Sequence, residues 1–204
     1  MANWDEDSPQ LRKNLAGVLA SARDDAAKRA KPTLEMAKAW HRNTLRNLTV
    51  PDPRYVGEFR GEKGLESVGV RVGPHPGVEP GKVAGALGAF EKTLQAAIQA
   101  LDGLIAPGQD LDKDQLVAVI ELCAWVHAEW VRIHPFANGN GRTARLWANY
   151  VAMRYGLPPF VRLRPRPDGL YGLAAEYAMQ GDWHLTAFVL KQMYAAEIKR
   201  ANKK

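Results

Sequence analysis

Twelve residues, from His134 to Arg145, constrain this chain of 204 residues more than any other segment. They read His-Pro-Phe-Ala-Asn-Gly-Asn-Gly-Arg-Thr-Ala-Arg. A loop of small residues that opens onto a helix leaves backbone N–H groups unpaired at the helix start, where the positive end of the helix dipole also lies. Such a helix start is a ready site for a phosphate anion. The segment therefore predicts an anion-binding loop between two helices.

The residue types within the loop add chemistry to this anion site. Gly139 and Gly141 lack a Cβ, so the main chain can approach phosphate oxygens closely. Arg142 and Arg145 lie about one helical turn apart, which places both guanidinium groups on one side of the helix. His134 has an ordinary pKa near neutrality and can act as a base beside bound phosphates. We interpret the segment as a nucleotide site with a general base.

These residues resemble the signature of the Fic family, His-x-Phe-x-(Asp/Glu)-Gly-Asn-Gly-Arg-x-x-Arg, whose members mostly transfer AMP from ATP to protein hydroxyl groups. Seven of the eight specified positions match, namely His134, Phe136, Gly139, Asn140, Gly141, Arg142 and Arg145. The structural alternative is a helix–helix turn rich in Gly and Asn. Those residue types are common in turns, but a turn does not explain a His, a Phe and two Arg at this spacing.

The resemblance implies a role for each matched residue. His134 would be the base for the attacking hydroxyl, and Phe136 would be a structural anchor of the loop. Arg142 and Arg145 would clamp the β- and γ-phosphates. The anion hole would consist of Gly139, Asn140 and Gly141. Doc-like kinases of the family carry Lys at the position of Gly141 and bind ATP in the opposite direction, so the glycine favours the AMP-transferring branch.

Asn138 stands where the family usually has an acid that coordinates Mg²⁺ between the α- and β-phosphates. Hard cations prefer charged oxygen ligands, and an amide oxygen brings no charge. We expect ATP as substrate and Mg²⁺ as cofactor, with Asn138 as a weakened metal ligand and slower turnover. The alternative is a degenerate, inactive site.

The fold predicted from apolar spacing is all-α: a Fic-like helical bundle with a small β-hairpin. We expect N-terminal helices in residues 1–49 and a Fic-like core in residues 50–200, together forming one compact domain. An alternation of period two predicts the hairpin over about residues 56–72, with its turn at Gly61–Gly64. By resemblance this hairpin is a flap. Its edge would bind an extended segment of a target protein through Val68, Gly69, Val70 and Arg71, unless it only covers the core.

Composition limits the other possibilities. The net charge of +6 comes largely from two basic blocks, residues 11–50 and the last six residues of the chain. Neither block is interleaved with aromatic residues as in a nucleic-acid stacking surface, so nucleic acid is not the expected partner. No apolar run is long enough for a membrane span, and Cys123 is the only cysteine, so a cytoplasmic protein is expected, with delivery into another cell left open. His41 and His127 have no partner that the sequence identifies.

Three functions follow as hypotheses. The leading one is a protein adenylyltransferase that acts on a Ser, Thr or Tyr hydroxyl. The second is a catalytically silent nucleotide- or protein-binding module, and the third is a Doc-like kinase toxin, which Gly141 disfavours. The inhibitory Ser/Thr-x-x-x-Glu-Gly/Asn motif of many Fic proteins is not found in this sequence. The protein is therefore expected to be unrestrained or controlled by a separate, antitoxin-like partner.

Overall fold

The computed structural model describes residues 4–203. The first three residues of the predicted N-terminal segment, and Lys204 at the end of the C-terminal basic block, lie outside the described residues. Across residues 4–203 the chain forms seven α-helices and one two-stranded antiparallel hairpin, which confirms the predicted all-α class. The elements are α1 (Pro9–Ala27), α2 (Leu34–Thr44), β1 (Arg71–Val72), β2 (His75–Pro76), α3 (Pro80–Leu104), α4 (Lys113–Ile133), α5 (Asn140–Arg154), α6 (Tyr171–Met179) and α7 (His184–Ala201).

Helices α4 and α5 form the centre of the molecule and place the signature loop between them. Asp112 caps α4 in a capping box with Gln115. Trp130 of α4 and Trp147 of α5 are fully buried, with ring centroids 5.9 Å apart. Large aromatic side chains contribute much of the apolar area that a core buries. Both ends of the loop are therefore held by well-packed helices.

The N-terminal helices share this core. Trp40 of α2 packs edge-on against Trp147, with ring centroids 4.7 Å apart. Helix α1 packs along α5, and Arg154 at the end of α5 donates to the Ala30 carbonyl, 2.8 Å away. Within the described range, no helix is both long enough and apolar enough to cross a bilayer.

The predicted position of the hairpin was wrong. Arg71 pairs with Pro76 and Val72 with His75, so the turn lies at Gly73-Pro74 and not at residues 61–64. Gly57 and Gly61 have positive φ values of 80° and 86°, so the chain bends where an alternating strand was expected. The neighbours Phe59 and Arg60 are both buried, although a strand would point them to opposite faces.

Candidate functional site

The signature loop begins and ends in left-handed backbone conformations. His134 follows α4 with φ 53° and ψ 56°, and Gly139 precedes α5 with φ 80°. Helix α5 starts at Asn140, and no side chain caps its first turn. A non-glycine residue with positive φ costs on the order of 1–3 kcal/mol. The fold holds His134 in this conformation and leaves the first N–H groups of α5 facing the loop.

Asn140 closes the loop around Phe136. Its Nδ2 donates to the Phe136 carbonyl, and its Oδ1 accepts from the Phe136 N–H, both at 2.8 Å. The ring of Phe136 is fully buried, as expected for an anchor, and stacks on His41 at 3.9 Å. Both polar atoms of the Asn140 side chain are thus hydrogen-bonded within the loop, which fixes the conformation of the loop.

His41 fixes the loop from α2, a role that no pattern in the sequence indicates. Its Nδ1 accepts the Gly57 N–H at 2.9 Å, and its Nε2 donates to the Asn138 carbonyl at 3.0 Å. Burial lowers the pKa of His41 to about 4, so the ring is neutral at physiological pH with one donor and one acceptor. The ring therefore ties residues 57 and 138 together across 81 positions of sequence.

His134 is oriented as a base. Its Nδ1 lies 3.0 Å from the carbonyl of Val131, which can only accept, so Nδ1 carries the proton. The lone pair of the neutral ring is then on Nε2. Burial, and to a lesser extent the charge of Arg60, lower the pKa of His134 below its ordinary value of 6.5. The neutral, proton-accepting form consequently predominates at neutral pH.

Arg142 and Arg145 are buried beside the loop with hydrogen-bonding capacity left over. Arg142 Nη1 donates to the Trp4 carbonyl at 2.8 Å and lies 3.5 Å from the carboxylate of Asp5. Arg142 Nη2 and Arg145 Nε are buried without a hydrogen-bond partner among the described residues. Burial also lowers the pKa of Arg142, to about 10. Both guanidinium groups line the same cavity, so these donors are available to an anion bound there.

Tyr171 and His127 support Arg145. Arg145 Nη1 donates to the Tyr171 hydroxyl at 3.1 Å, so the hydroxyl proton goes to His127 Nε2, 2.7 Å away. Burial lowers the pKa of His127 to about 3, which keeps the ring neutral. His127 thus has a structural partner.

One cavity of about 230 Å³ brings most of the predicted site together. The predicted residues that line it are His134, Asn138, Gly139, Asn140, Gly141, Arg142 and Arg145. Phe136 lies behind this surface, and of the hairpin only Val72 reaches the cavity. Sequence reasoning missed six further lining residues: the apolar Val131 and Ala175, and the polar or charged Asp5, Arg164, Arg166 and Tyr171. With four arginines and one aspartate, the cavity suits a polyanion.

The side chains around the cavity do not form a Mg²⁺ site by themselves. Asn138 Oδ1 already accepts the Gly139 N–H. Residues 4–203 contain no group of three or more His, Cys, Asp or Glu side chains that could hold a metal ion. Mg²⁺ in proteins is usually held by one or two carboxylates together with substrate phosphates. Asp5, the one carboxylate that lines the cavity, pairs with Arg142, so the phosphates would have to supply most of the charged oxygens.

The fold and the cavity define a class: a helical protein with a neutral histidine and two buried arginines beside an uncapped helix start. The sequence profile of the Fic/DOC family matches residues 31–152. The chain belongs to the Fic/DOC family.

Relatives and solved structures agree with this assignment. The chain is 32% identical over 142 residues to a protein adenylyltransferase Fic of Drosophila yakuba, a match that covers 70% of this chain and 24% of that protein. Fic-1 of C. elegans has a TM-score of 0.64 at 24% identity, covering 96% of this chain and 52% of that one. BepC of Bartonella tribocorum, solved with bound AMPPNP, has a TM-score of 0.61 at 17% identity, covering 95% and 90%. The chain spans less than a quarter of the length of the curated relatives that it matches.

Proposed function

We propose that this protein transfers AMP from ATP to a Ser, Thr or Tyr hydroxyl of a target protein. The observation that carries the proposal is the pairing of groups in one cavity. His134 has its basic Nε2 free there, and Arg142 and Arg145 have buried donors without partners. Relatives named protein adenylyltransferase and a structural neighbour with bound AMPPNP support the same reaction.

The proposed reaction is a displacement at the α-phosphorus. The target hydroxyl oxygen forms a bond to that phosphorus while its proton passes to His134 Nε2. The bond between the α-phosphorus and the bridging oxygen breaks, and pyrophosphate leaves. Arg142, Arg145 and the N–H groups at the start of α5 stabilise the charge on the leaving phosphates. Because the side chains do not form a Mg²⁺ site, we assign no step to the metal; Mg²⁺ would enter with ATP.

Gly141 favours this direction of ATP over the kinase alternative. A Cβ at position 141 would lie 3.3 Å from Arg145 Nη1, so a larger side chain would crowd that guanidinium.

ATP labelled separately at the α- and γ-phosphates, incubated with a lysate, tests the proposal. Label from the α-phosphate on protein supports AMP transfer. Label from the γ-phosphate indicates a kinase, and binding without label on protein indicates a silent module.

Asn138→Asp is expected to increase AMP transfer at low Mg²⁺. The substitution places a carboxylate where the chain has a neutral amide oxygen at the edge of the cavity, and Mg²⁺ prefers charged oxygen ligands. The measurement is product formation during a Mg²⁺ titration of the variant and the wild type. Identical Mg²⁺ curves would show that position 138 does not reach the metal.

The hairpin is proposed to bind the target segment by strand addition, with a narrower edge than the sequence suggested. The N–H of Val68 donates to Leu65, and its carbonyl accepts from Arg60, so Val68 has no free backbone group. The Val70 carbonyl accepts the Gly77 N–H, so the backbone groups of Val70 face the paired segment of the hairpin, and the free edge is left with Gly69 and Arg71.

Val70→Pro removes one N–H and fixes φ, which disturbs the strand pairing locally, and it is expected to reduce modification of the target much more than ATP binding. The Val70 carbonyl, which accepts the Gly77 N–H, is retained. Initial rates at several target concentrations, with ATP affinity measured in parallel, check the prediction. Equal losses of both quantities would instead indicate a hairpin that only covers the core.

A further inference from the structure

Arg60 is a buried cation that joins the base of the hairpin to the catalytic loop. It is only 1% exposed. Its Nε donates to the His134 carbonyl at 2.7 Å, and its Nη2 donates to Ile133 at 3.1 Å. The same guanidinium donates to the carbonyls of Val68 at 3.1 Å and Val78 at 2.8 Å, on either side of the hairpin. One planar group thus holds the end of α4 and both ends of the hairpin segment.

The charge of Arg60 is not neutralised by any acid among its described partners, all of which are backbone carbonyls. Burial of a guanidinium without a counter-ion is costly, and here it lowers the pKa of Arg60. An apolar side chain of similar size would fill the same space at lower cost. An apolar side chain, however, has no N–H donors. The planar guanidinium of Arg60 has a fork of N–H donors that fixes four backbone carbonyls relative to one another.

Gly77 provides a second, independent connection between the hairpin and His134. A Cβ at position 77 would lie 2.9 Å from His134 Cβ, 2.9 Å from Val70 Cγ2 and 3.1 Å from Arg60 Nη2. Real Cβ atoms essentially never come closer than 3.0 Å to other heavy atoms. The backbone just after β2 therefore packs directly against the side chain of His134. This close contact is possible only because residue 77 is glycine.

We propose that Arg60 and Gly77 are positioning residues that couple the target-binding hairpin to the general base. This inference rests on the proposed AMP transfer. Neither residue lines the cavity, so both act through His134. A target segment added to the hairpin would then be held at a fixed distance from Nε2. Loss of the coupling would impair transfer to the target and leave the nucleotide in place.

The test compares Arg60→Lys, Arg60→Gln and Gly77→Ala with Gly81→Ala as a matched control. Gly81 is an exposed residue in the first turn of α3, outside the hairpin edge and the cavity, and a Cβ there would meet no atom within 4 Å. The readouts are kcat and KM for transfer, ATP affinity, thermal unfolding and the NMR titration of His134. We expect kcat to fall about tenfold to a hundredfold in the first three variants, the scale of loss when a catalytic group is slightly misplaced.

The titration separates the charge of Arg60 from its geometry. Arg60→Gln is expected to raise the pKa of His134 because a neighbouring cation is lost, whereas Arg60→Lys keeps the charge and loses the fork. The other charged groups around the cavity, Asp5, Arg142, Arg145, Arg164 and Arg166, are the same in every variant. A fall in kcat for Arg60→Lys at an unchanged His134 pKa would therefore identify positioning as the cause.

Two results would overturn the proposal. One is a Gly77→Ala variant that behaves like Gly81→Ala. The other is a parallel loss of ATP affinity and transfer in all three variants, which indicates general destabilisation. Should Arg60→Lys fail to fold, Gly77→Ala alone decides between these outcomes. If the wild type transfers no AMP, the proposed function fails, and the titration of His134 in Arg60→Gln still reports whether Arg60 acts on the histidine.

Discussion

Replacement of His134 by alanine is expected to lower AMP transfer by about 10²–10⁴-fold, the usual contribution of a general base, with nearly unchanged affinity for ATP. The structure gives the reason. Nδ1 of His134 is fixed as a donor by the Val131 carbonyl, so Nε2 is free to accept the hydroxyl proton. The phosphate-binding groups belong to α5 and do not depend on this side chain.

The measurement is single-turnover transfer with ATP binding determined in parallel, and His184→Ala is the matched control. His184 lies at the start of α7 with its side chain 80% exposed, and its ring pairs with Asp182. The pH profile gives a further check. The pKa of His134 is lowered, so wild-type transfer is expected to rise with pH along a limb centred below 6.5. That limb would be missing in His134→Ala. Near-normal turnover by the variant would remove His134 from the mechanism.

The sequence predicted the parts of this site that depend on local geometry. A loop of small residues between two helices has few conformations that leave the second helix start uncovered, so the positions from His134 to Arg145 were enough to place them in one cavity. The apolar spacing likewise predicted the helical bundle that holds the loop. The sequence also suggested a β-hairpin flap, but it placed the turn at residues 61–64, whereas the two strands pair on either side of Gly73-Pro74.

The parts that were missed depend on contacts between distant residues. His41 reaches Asn138 across 97 positions, and Arg60 reaches the His134 carbonyl across 74. Nothing in the periodicity around either residue distinguishes it from a surface side chain. The hairpin was misplaced for the same reason. The alternation around Arg60 was interpreted as a strand, whereas burial of its guanidinium under the loop decides the local conformation.

Arg142→Met is expected to weaken ATP binding by about 10- to 100-fold and to leave the thermal stability of the free protein unchanged or higher. A hydrogen bond to a charged group contributes about 1.5–3 kcal/mol, and about 1.4 kcal/mol corresponds to a tenfold change in affinity. In the free protein, however, Arg142 is only 4% exposed, and its Nη2 has no hydrogen-bond partner among the described residues. Methionine removes this buried charge, whereas the Trp4 carbonyl that loses its donor lies in a partly exposed residue.

Arg154→Met provides the contrast, because Arg154 is buried to a similar extent and fully paired. It lies on the same helix, is 6% exposed and binds Asp102 at 2.6 Å. Removing one partner of a buried pair typically costs about 3–5 kcal/mol, so this variant is expected to melt at a lower temperature and bind ATP normally. Thermal unfolding with and without ATP, and calorimetric titration, measure both effects. A large fall in the melting temperature of Arg142→Met with intact ATP affinity would show that Arg142 stabilises the fold and does not bind phosphate. We therefore expect Arg142→Met to lose ATP affinity and keep its melting temperature, and Arg154→Met to do the reverse. The reason is that Arg142, unlike Arg154, lines the cavity and has a buried N–H donor without a protein partner among the described residues.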